Sequence, residues 1–214
     1  MKKKIILAVL ALAGPVMSKA QDAKSVFSAN EIVWFGLDFS KAKFVGAFTQ
    51  IGDAGSVTGS DLKNKWIPAW NALVINEPQN FDFKKSFRKD NLLNDITSVT
   101  EINKKVDPDA MMSNNPGKIE RSDIDAMVKN YKADVKTEGI GLVFIVENFN
   151  KTTATGDVWV TLFDIASKKV LITEKMSAKA GGAGMKNYWA KVFKLILKQI
   201  DEGEYKSWKS KYSK

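Results

Sequence analysis

Serine and lysine recur in this chain at the S-x-x-K spacing that places a nucleophilic hydroxyl beside a lysine base in some hydrolases. The three matches are Ser40 with Lys43, Ser60 with Lys63, and Ser86 with Lys89. Because lysine occupies about one position in seven, roughly two such matches arise by chance among the fifteen serines. Neither S-D-N nor K-T-G accompanies them, so we interpret all three as coincidental.

Histidine and cysteine are both absent from the 214 residues. Without histidine, the Ser-His-Asp and Cys-His relays, the H-E-x-x-H zinc site and the usual proton shuttle at neutral pH cannot be built. The acidic triplets at residues 107–109 and 123–125 lack the glycine and the distant glutamate of a calcium-binding loop. We therefore predict no metal and no cofactor, and name no catalytic residue.

Carboxylates near the ends of predicted strands and helices leave one catalytic alternative, a pair of acids for glycoside hydrolysis. The candidates are Asp38, Asp53, Glu77, Glu147 and Asp164. Acids at such positions more often cap helices or form turns. A carboxylate-based hydrolase, or a protein that binds a small molecule or glycan at the ends of the central strands, therefore remains the alternative hypothesis.

The glycine-rich segment A-G-G-A-G at residues 180–184 precedes a predicted helix. Free amide groups and the dipole at a helix start can hold a phosphate or a carboxylate, so Gly181, Gly182 and Gly184 are candidate anion-binding residues. The segment lacks the lysine and hydroxyl residue of a phosphate-binding P-loop and does not match G-x-G-x-x-G. A tight connection between strand and helix is the simpler interpretation.

Aromatic residues occur along the whole chain, and five of the six tryptophans fall within predicted strands or helices, where core packing explains them. The exception lies in the lysine-rich C-terminal tail, residues 204–214. There Tyr205, Trp208 and Tyr212 are spaced as on one side of a helix. We interpret them as candidate surface contacts, for a partner protein or for weak binding to an anionic membrane surface.

The N-terminus has the pattern of a secretory signal peptide. Three lysines, at positions 2 to 4, precede an unbroken apolar run over residues 5–13, which is too short to span a membrane. Small residues at Ser18 and Ala20 favour cleavage before Gln21. The sequence thus predicts a periplasmic or secreted protein with no transmembrane segment after cleavage.

Loss of residues 1–20 removes four lysines and no acid, which lowers the formal net charge from +9 to +5. Arg88 and Arg121 are the only arginines, although arginine is the residue that best reads bases and phosphates through paired hydrogen bonds. We therefore do not expect nucleic acid as a partner.

The remaining pattern is that of one α/β domain over residues 21–203. Apolar runs predict strands at residues 31–39, 139–148 and 157–164, and alternation predicts another at residues 170–175. Short polar connections join the last three strands, so they form an antiparallel meander. Apolar spacing of three and four predicts a helix from Leu62 to Leu73, kinked or divided into two at Pro68. The same spacing predicts a long helix from Met185 to Ile200, ending near Gly203. We predict a single mixed sheet packed by helices.

This order of elements is similar to that of the small periplasmic α/β domains of the curli-secretion, penicillin-binding-protein-activator and Tol-Pal translocation types. Residues 158–184, VWVTLFDIASKKVLITEKMSAKAGGAG, resemble their last hairpin with its glycine-rich loop and helix. The cysteine that carries their acyl anchor is missing. The blocks GIGLVFIVE, SKKVLITEKMSAKAGG and NYWAKV look more like a group of uncharacterised exported proteins of the Bacteroidetes, which implies no function.

The first of these resemblances implies protein contacts in envelope assembly. With the export signal and the missing histidine and cysteine, it favours a non-catalytic binding protein of the cell envelope whose partner is another envelope protein.

Overall fold

A computed structural model describes residues 21–48 and 56–213. The predicted signal peptide, Asp53 and most of the polar loop before the first long helix lie outside these residues. The strands are β1 (Glu31–Asp38), β2 (Lys43–Val45), β3 (Asn91–Asn94), β4 (Met112–Ser113), β5 (Ile140–Asn150), β6 (Thr155–Asp164) and β7 (Val170–Lys179). The helices are α1 (Ser25–Ser28), α2 (Gly59–Asp61), α3 (Ile67–Asn76), α4 (Phe83–Phe87), α5 (Thr97–Asn103), α6 (Pro108–Met111), α7 (Arg121–Lys129), α8 (Gly184–Gln199) and α9 (Tyr205–Tyr212).

The seven strands form one mixed sheet with β5 at its centre. On one side, β1 and β2 pair in parallel with successive parts of β5, and β3 and β4 pair in parallel with their outer edges. On the other side, β6 and β7 follow in antiparallel order, with Ile145 opposite Trp159 and Trp159 opposite Lys175. The predicted mixed sheet and C-terminal meander are confirmed. Beside the first part of β5, the outermost strands of the sheet are β3 on one side and β7 on the other.

The apolar run of β5 reflects burial on both faces of the sheet. Leu142 and Phe144 belong to the larger core, which also contains residues of α3, α8 and α9. Val143 and Ile145 point the other way, into a smaller core with residues of α5 and α7. Helices therefore pack both faces, as expected for a single α/β domain.

Aromatic rings fill the centre of the larger core. The ring of Phe149 stacks on Trp189 of α8, with centroids 4.5 Å apart, and meets the edge of Trp70 from α3 at 5.5 Å. All three side chains are fully buried. Aromatic pairs of this geometry add to the free energy gained by removing apolar area from water. They fix α3 and α8 side by side on the sheet.

Two helices differ in detail from the predictions. The predicted helix at 62–73 is divided by a π-helical turn at Leu62–Trp66, which runs directly into α3, and Pro68 lies in the first turn of α3. Because proline has no N–H to donate to the turn before it, a wider turn at this point agrees with the effect expected of Pro68. The C-terminal helix does not end near Gly203. It passes through a second π-helical turn at Ile200–Glu204 and continues as α9.

Candidate functional site

The glycine segment forms the connection between β7 and α8. Gly182 and Gly184 have φ angles of +109° and +73°, which explains glycine at both positions. The N–H of Gly181 donates to the carbonyl of Tyr188 at 2.9 Å, so one of the three candidate amides is already bonded. A cavity of about 210 Å³ beside Gly184 is also lined by Lys65 and other residues. Anion binding at Gly181, Gly182 and Gly184 stays a prediction.

The aromatic tail is not the exposed surface that its composition predicts. Trp208 is 3% exposed and Tyr205 is 8% exposed, and both pack into the larger core. The ring of Tyr205 meets the edge of Phe27 at 5.5 Å. Tyr212 is partly exposed, and its hydroxyl donates to Glu174 at 2.6 Å. The apolar side of α9 packs into the larger core, and the residues that form this core are distant in sequence from the tail.

The S-x-x-K matches form no nucleophile–base pair among the described contacts. The ammonium of Lys43 donates to the carbonyl of Ala110, and that of Lys89 donates to main-chain carbonyls. The hydroxyl of Ser86 donates to the carbonyl of Asp82. The interpretation of these pairs as coincidental is consistent with this geometry.

Two of the predicted carboxylates lie on the same face of neighbouring strands. Asp38 ends β1 opposite Ile145, and Glu147 follows two residues later on β5. Asp38 is fully buried, where it accepts the hydroxyl of Tyr131 at 2.6 Å and the N–H of Ser40 at 2.7 Å. Burial raises the pKa of Asp38 and raises the pKa of Tyr131 well above its ordinary value.

The second carboxylate, Glu147, is the centre of a polar cluster. Its Oε2 accepts the indole N–H of Trp159 at 2.8 Å and the main-chain N–H of Ile119 at 3.1 Å. Its Oε1 pairs with the half-exposed ammonium of Lys175 and accepts the side-chain amide of Asn148 at 3.2 Å. Every oxygen is satisfied, and neither Glu147 nor Asp38 lines any of the five cavities described for residues 21–48 and 56–213. This geometry therefore gives Asp38 and Glu147 structural roles.

The other two described carboxylates occupy turns. Glu77 follows α3 and accepts the side-chain amide of Asn80 at 3.0 Å. Asp164 ends β6, and its Oδ1 accepts the N–H groups of Ala166 and Ser167. Among the described contacts the two residues share no partner and no cavity, so they do not form a catalytic pair.

The cavity best suited to a ligand is a groove of about 370 Å³ beside β3. Its apolar lining comes from the end of α3 and from the sheet, and includes Val74, Ile75 and Leu92. Three aromatic residues, Trp34, Phe81 and Phe83, also line it. Ligand pockets in proteins have this size and this mixture of apolar surface with a few polar groups.

Polar side chains line the same groove and are exposed. They are Asp82, Lys84, Asp90, Asn91 and Asn94. Asp82 uses one oxygen to accept the N–H of Lys85 and so caps α4. The ammonium of Lys84 donates to the carbonyl of Asp90 at 3.2 Å. Among the described residues, the carboxylate of Asp90 makes no hydrogen bond. Its oxygens and the side-chain amides of Asn91 and Asn94 are therefore exposed to solvent in the groove.

One buried donor in the lining lacks a partner. Trp34 is 1% exposed, and among the described residues its indole N–H makes no hydrogen bond. The ring is fixed by Phe83, with centroids 4.4 Å apart, and by the edge of Phe144 at 5.2 Å. The indole N–H of Trp189 in the same core also has no partner among the described residues, so this feature of Trp34 does not by itself indicate a ligand.

The edge of β3 is open along the groove. The N–H groups of Asn91 and Asp95 both bond to carbonyls of the β1 side, those of Asn30 and Trp34. Successive residues of a strand point their main-chain groups in opposite directions, so Leu92 and Asn94 direct theirs away from β1. Within the described residues, β3 pairs with β1 alone.

No sequence motif predicts this groove. Its residues come from α3, the following loop, the start of α4 and both β1 and β3, which are far apart along the chain. The one local signal was the short polar strand itself, whose two asparagines flank two leucines. A short strand with polar ends is typical of a sheet edge.

Among the described residues, no group of three or more acidic side chains lies close enough to hold a metal ion, and no helix is long and apolar enough to cross a membrane. Comparison of the chain with family models, with curated proteins and with solved structures finds no match in any of the three.

Proposed function

We propose that this chain is an exported binding protein without chemistry of its own, which holds an extended segment of another cell-envelope protein along the open edge of β3. The observation that carries the proposal is a strand edge that has no pairing partner within residues 21–48 and 56–213, with a groove of about 370 Å³ directly beside it. Recognition by strand addition uses both features. Main-chain hydrogen bonds to the edge contribute affinity, and a pocket for alternate side chains contributes specificity.

The lining indicates what the bound segment carries. Leu92 and Ile75 are partly exposed in the groove, so an apolar side chain of the segment removes their remaining area from water. Asp82 and Asp90 favour a lysine, an arginine or an amide next to that side chain. The proposed ligand is therefore an extended segment with an apolar residue flanked by basic or amide residues.

Export is the second part of the proposal. It is supported by the three N-terminal lysines, the short apolar run and the small residues before Gln21. The mature chain would then work in the periplasm or outside the cell, where envelope proteins present extended segments during assembly.

A matched pair of substitutions tests strand addition. Asn94→Pro removes the outward N–H of β3, and proline is tolerated at an edge where that N–H faces solvent. Asn94→Ala removes only the side chain. From a display library of short peptides, we expect wild type and Asn94→Ala to select and bind the same sequences. Asn94→Pro should bind them about tenfold more weakly, since one main-chain hydrogen bond contributes up to about 1.5 kcal/mol.

The control applies the same change to the opposite edge. Ser177→Pro on β7 also removes an outward N–H, and it should leave peptide binding unchanged. Thermal unfolding of each variant checks that the fold is intact. Equal loss of binding in Asn94→Ala and Asn94→Pro, or loss in Ser177→Pro, would contradict strand addition at β3.

The groove also supports a second candidate, a small molecule or glycan. Its exposed carboxylates and amides, next to the partly exposed Ile75 and Leu92, match the chemistry of such ligands. Thermal-shift screening with envelope glycans and lipids separates the two hypotheses. A shift of several degrees that persists in Asn94→Pro would favour the glycan or small molecule, because that ligand needs the pocket and not the strand edge.

A further inference from the structure

Gln21 begins the described chain next to a buried carboxylate. Its main-chain nitrogen lies 2.7 Å from Oδ2 of Asp164, which ends β6. Asp164 is 2% exposed. Its other oxygen is used by the turn that follows β6, through the N–H groups of Ala166 and Ser167. Among the described side-chain contacts, the nitrogen of Gln21 is the donor to Oδ2.

The segment after Gln21 is held firmly against the domain. Val26 is buried in the larger core, and Phe27 packs on Tyr205. The ammonium of Lys89 donates to the carbonyls of Val26 and Ala29 at 2.5 and 2.6 Å, which fixes the end of α1. The position of Gln21 is therefore set by several contacts and not by Asp164 alone.

We propose that Asp164 is the docking site for the α-ammonium group that cleavage before Gln21 creates; this inference rests on the export proposed above. In the uncut chain the nitrogen is a neutral amide. After hydrolysis of the peptide bond, the carboxylate leaves with residue 20 and the nitrogen of Gln21 becomes an ammonium ion. The same 2.7 Å contact then joins opposite charges beside a buried group, which strengthens it.

The docked terminus has a chemical consequence for Gln21. An N-terminal glutamine cyclises when its uncharged amine attacks the side-chain amide carbon, forming a lactam and releasing ammonia. Asp164 holds the amine in its protonated form, which has no free electron pair. The Oε1 atom of Gln21 also lies 3.2 Å from Oγ of Ser25, so the amide is directed along α1. The folded protein thereby protects its own terminus from this modification.

Other charged groups near this pair must be accounted for. Lys168 faces both Asp164 and Asp95, and burial lowers its pKa. Asp22 follows Gln21, and its Oδ1 accepts the N–H of Ser25 at 3.0 Å. Asp22→Asn therefore serves as the matched control for Asp164→Asn, because each change neutralises one carboxylate near the terminus and keeps an acceptor oxygen.

The test uses the mature chain cut from a fusion so that it starts at Gln21, with its amine labelled for NMR. We expect the α-amino pKa to lie at least about one unit above the ordinary value of about 8. Asp164→Asn should return the pKa to the ordinary range and speed the loss of ammonia measured by intact mass. Asp22→Asn should leave both quantities as in wild type.

A chain extended by Gly-Ser before Gln21 provides a test that leaves Asp164 intact. A raised folded pKa stabilises the protein below pH 8, and this stabilisation is lost as the pH rises through the raised value. The mature chain should therefore unfold at a higher temperature than the extended chain at pH 6, and the difference should shrink at high pH. An α-amino pKa in the ordinary range, with equal unfolding temperatures, overturns the inference.

The failure of this inference is distinguishable from failure of the export proposal. Mass analysis of the protein recovered from outside the cytoplasm reports where the natural chain begins. A start at any residue other than Gln21 overturns the cleavage site, whereas a start at Gln21 with an unshifted α-amino pKa overturns only the docking at Asp164.

Discussion

The two outermost strands β3 and β7 differ in how side chains cover their free edges. The edge strand β7 is ten residues long, and side chains bond two of its outward carbonyls. The amide of Gln199 donates to the carbonyl of Ser177, and Arg121 donates to that of Val170. The edge strand β3 is four residues long, and among the described contacts its outward groups have no such cover.

We interpret β7 as an edge protected against pairing with other chains and β3 as an edge used to bind a ligand. Long free edges invite pairing with other chains, and proteins block them with lysines and with side chains that bond the edge. On β7, Lys175 and Lys179 stand on the exposed face beside the covered carbonyls. On β3, a groove adjoins the open edge. The edge with a pocket for side chains is the one that the fold leaves accessible.

The largest expected effect concerns the cluster that fixes Lys175 on β7. Glu147→Ala removes the acceptor of both Trp159 and Ile119, and we expect it to lower the free energy of unfolding by roughly 2–4 kcal/mol. Glu174→Ala, which breaks a partly exposed pair with Lys211, should cost about 1 kcal/mol or less. Denaturant unfolding measures both, and equal losses would show that the Glu147 cluster does not support this edge.

A smaller effect concerns Lys89, which lies two residues before β3. Burial lowers the pKa of Lys89 from 10.5 to about 8. Between these values the unfolded chain binds more protons than the folded chain, so the free energy of unfolding should rise with pH. We expect this rise to be about 1 kcal/mol, reduced by solvent screening, and to be absent in Lys89→Met. Denaturant titrations at pH 8 and above compare the two chains, and identical pH profiles would contradict the role of Lys89.

The smallest expected effect tests the cover on β7. Gln199→Ala frees the carbonyl of Ser177, and Lys179→Thr removes a charge from the same end of the strand. Together they should increase self-association by a few-fold, without a measurable change in stability. Sedimentation at several concentrations checks this, with Lys129→Thr on α7 as the control. A doubly substituted chain that sediments like wild type would mean that these side chains do not guard the edge.

The C-terminal half of the chain was largely predictable from sequence. Met185, Trp189, Val192 and Ile196 recur at helical spacing, and all four are buried along α8. The length of β7 was underestimated, because beyond Lys175 it alternates buried Met176 and Ala178 with exposed polar residues, and such an edge has a weaker apolar signal.

The candidate sites were less predictable, because each depends on residues distant in sequence. The aromatic tail was expected at the surface, yet Trp208 is buried in the larger core, and Tyr205 packs on Phe27 of α1. The groove joins residues from Trp34 to Asn94, and no short motif spans them.

By itself the sequence determined that relays based on histidine or cysteine are excluded and that strands and helices recur in an α/β order, and it predicts an export signal before the domain. These properties depend on composition and on periodicity over a few neighbouring residues. Only the tertiary structure decided which strand edge stays open, that the tail is buried, and that the nitrogen of Gln21 meets Asp164 across 143 residues of chain. Contacts over such separations follow from packing of the whole core and leave no local pattern in the sequence.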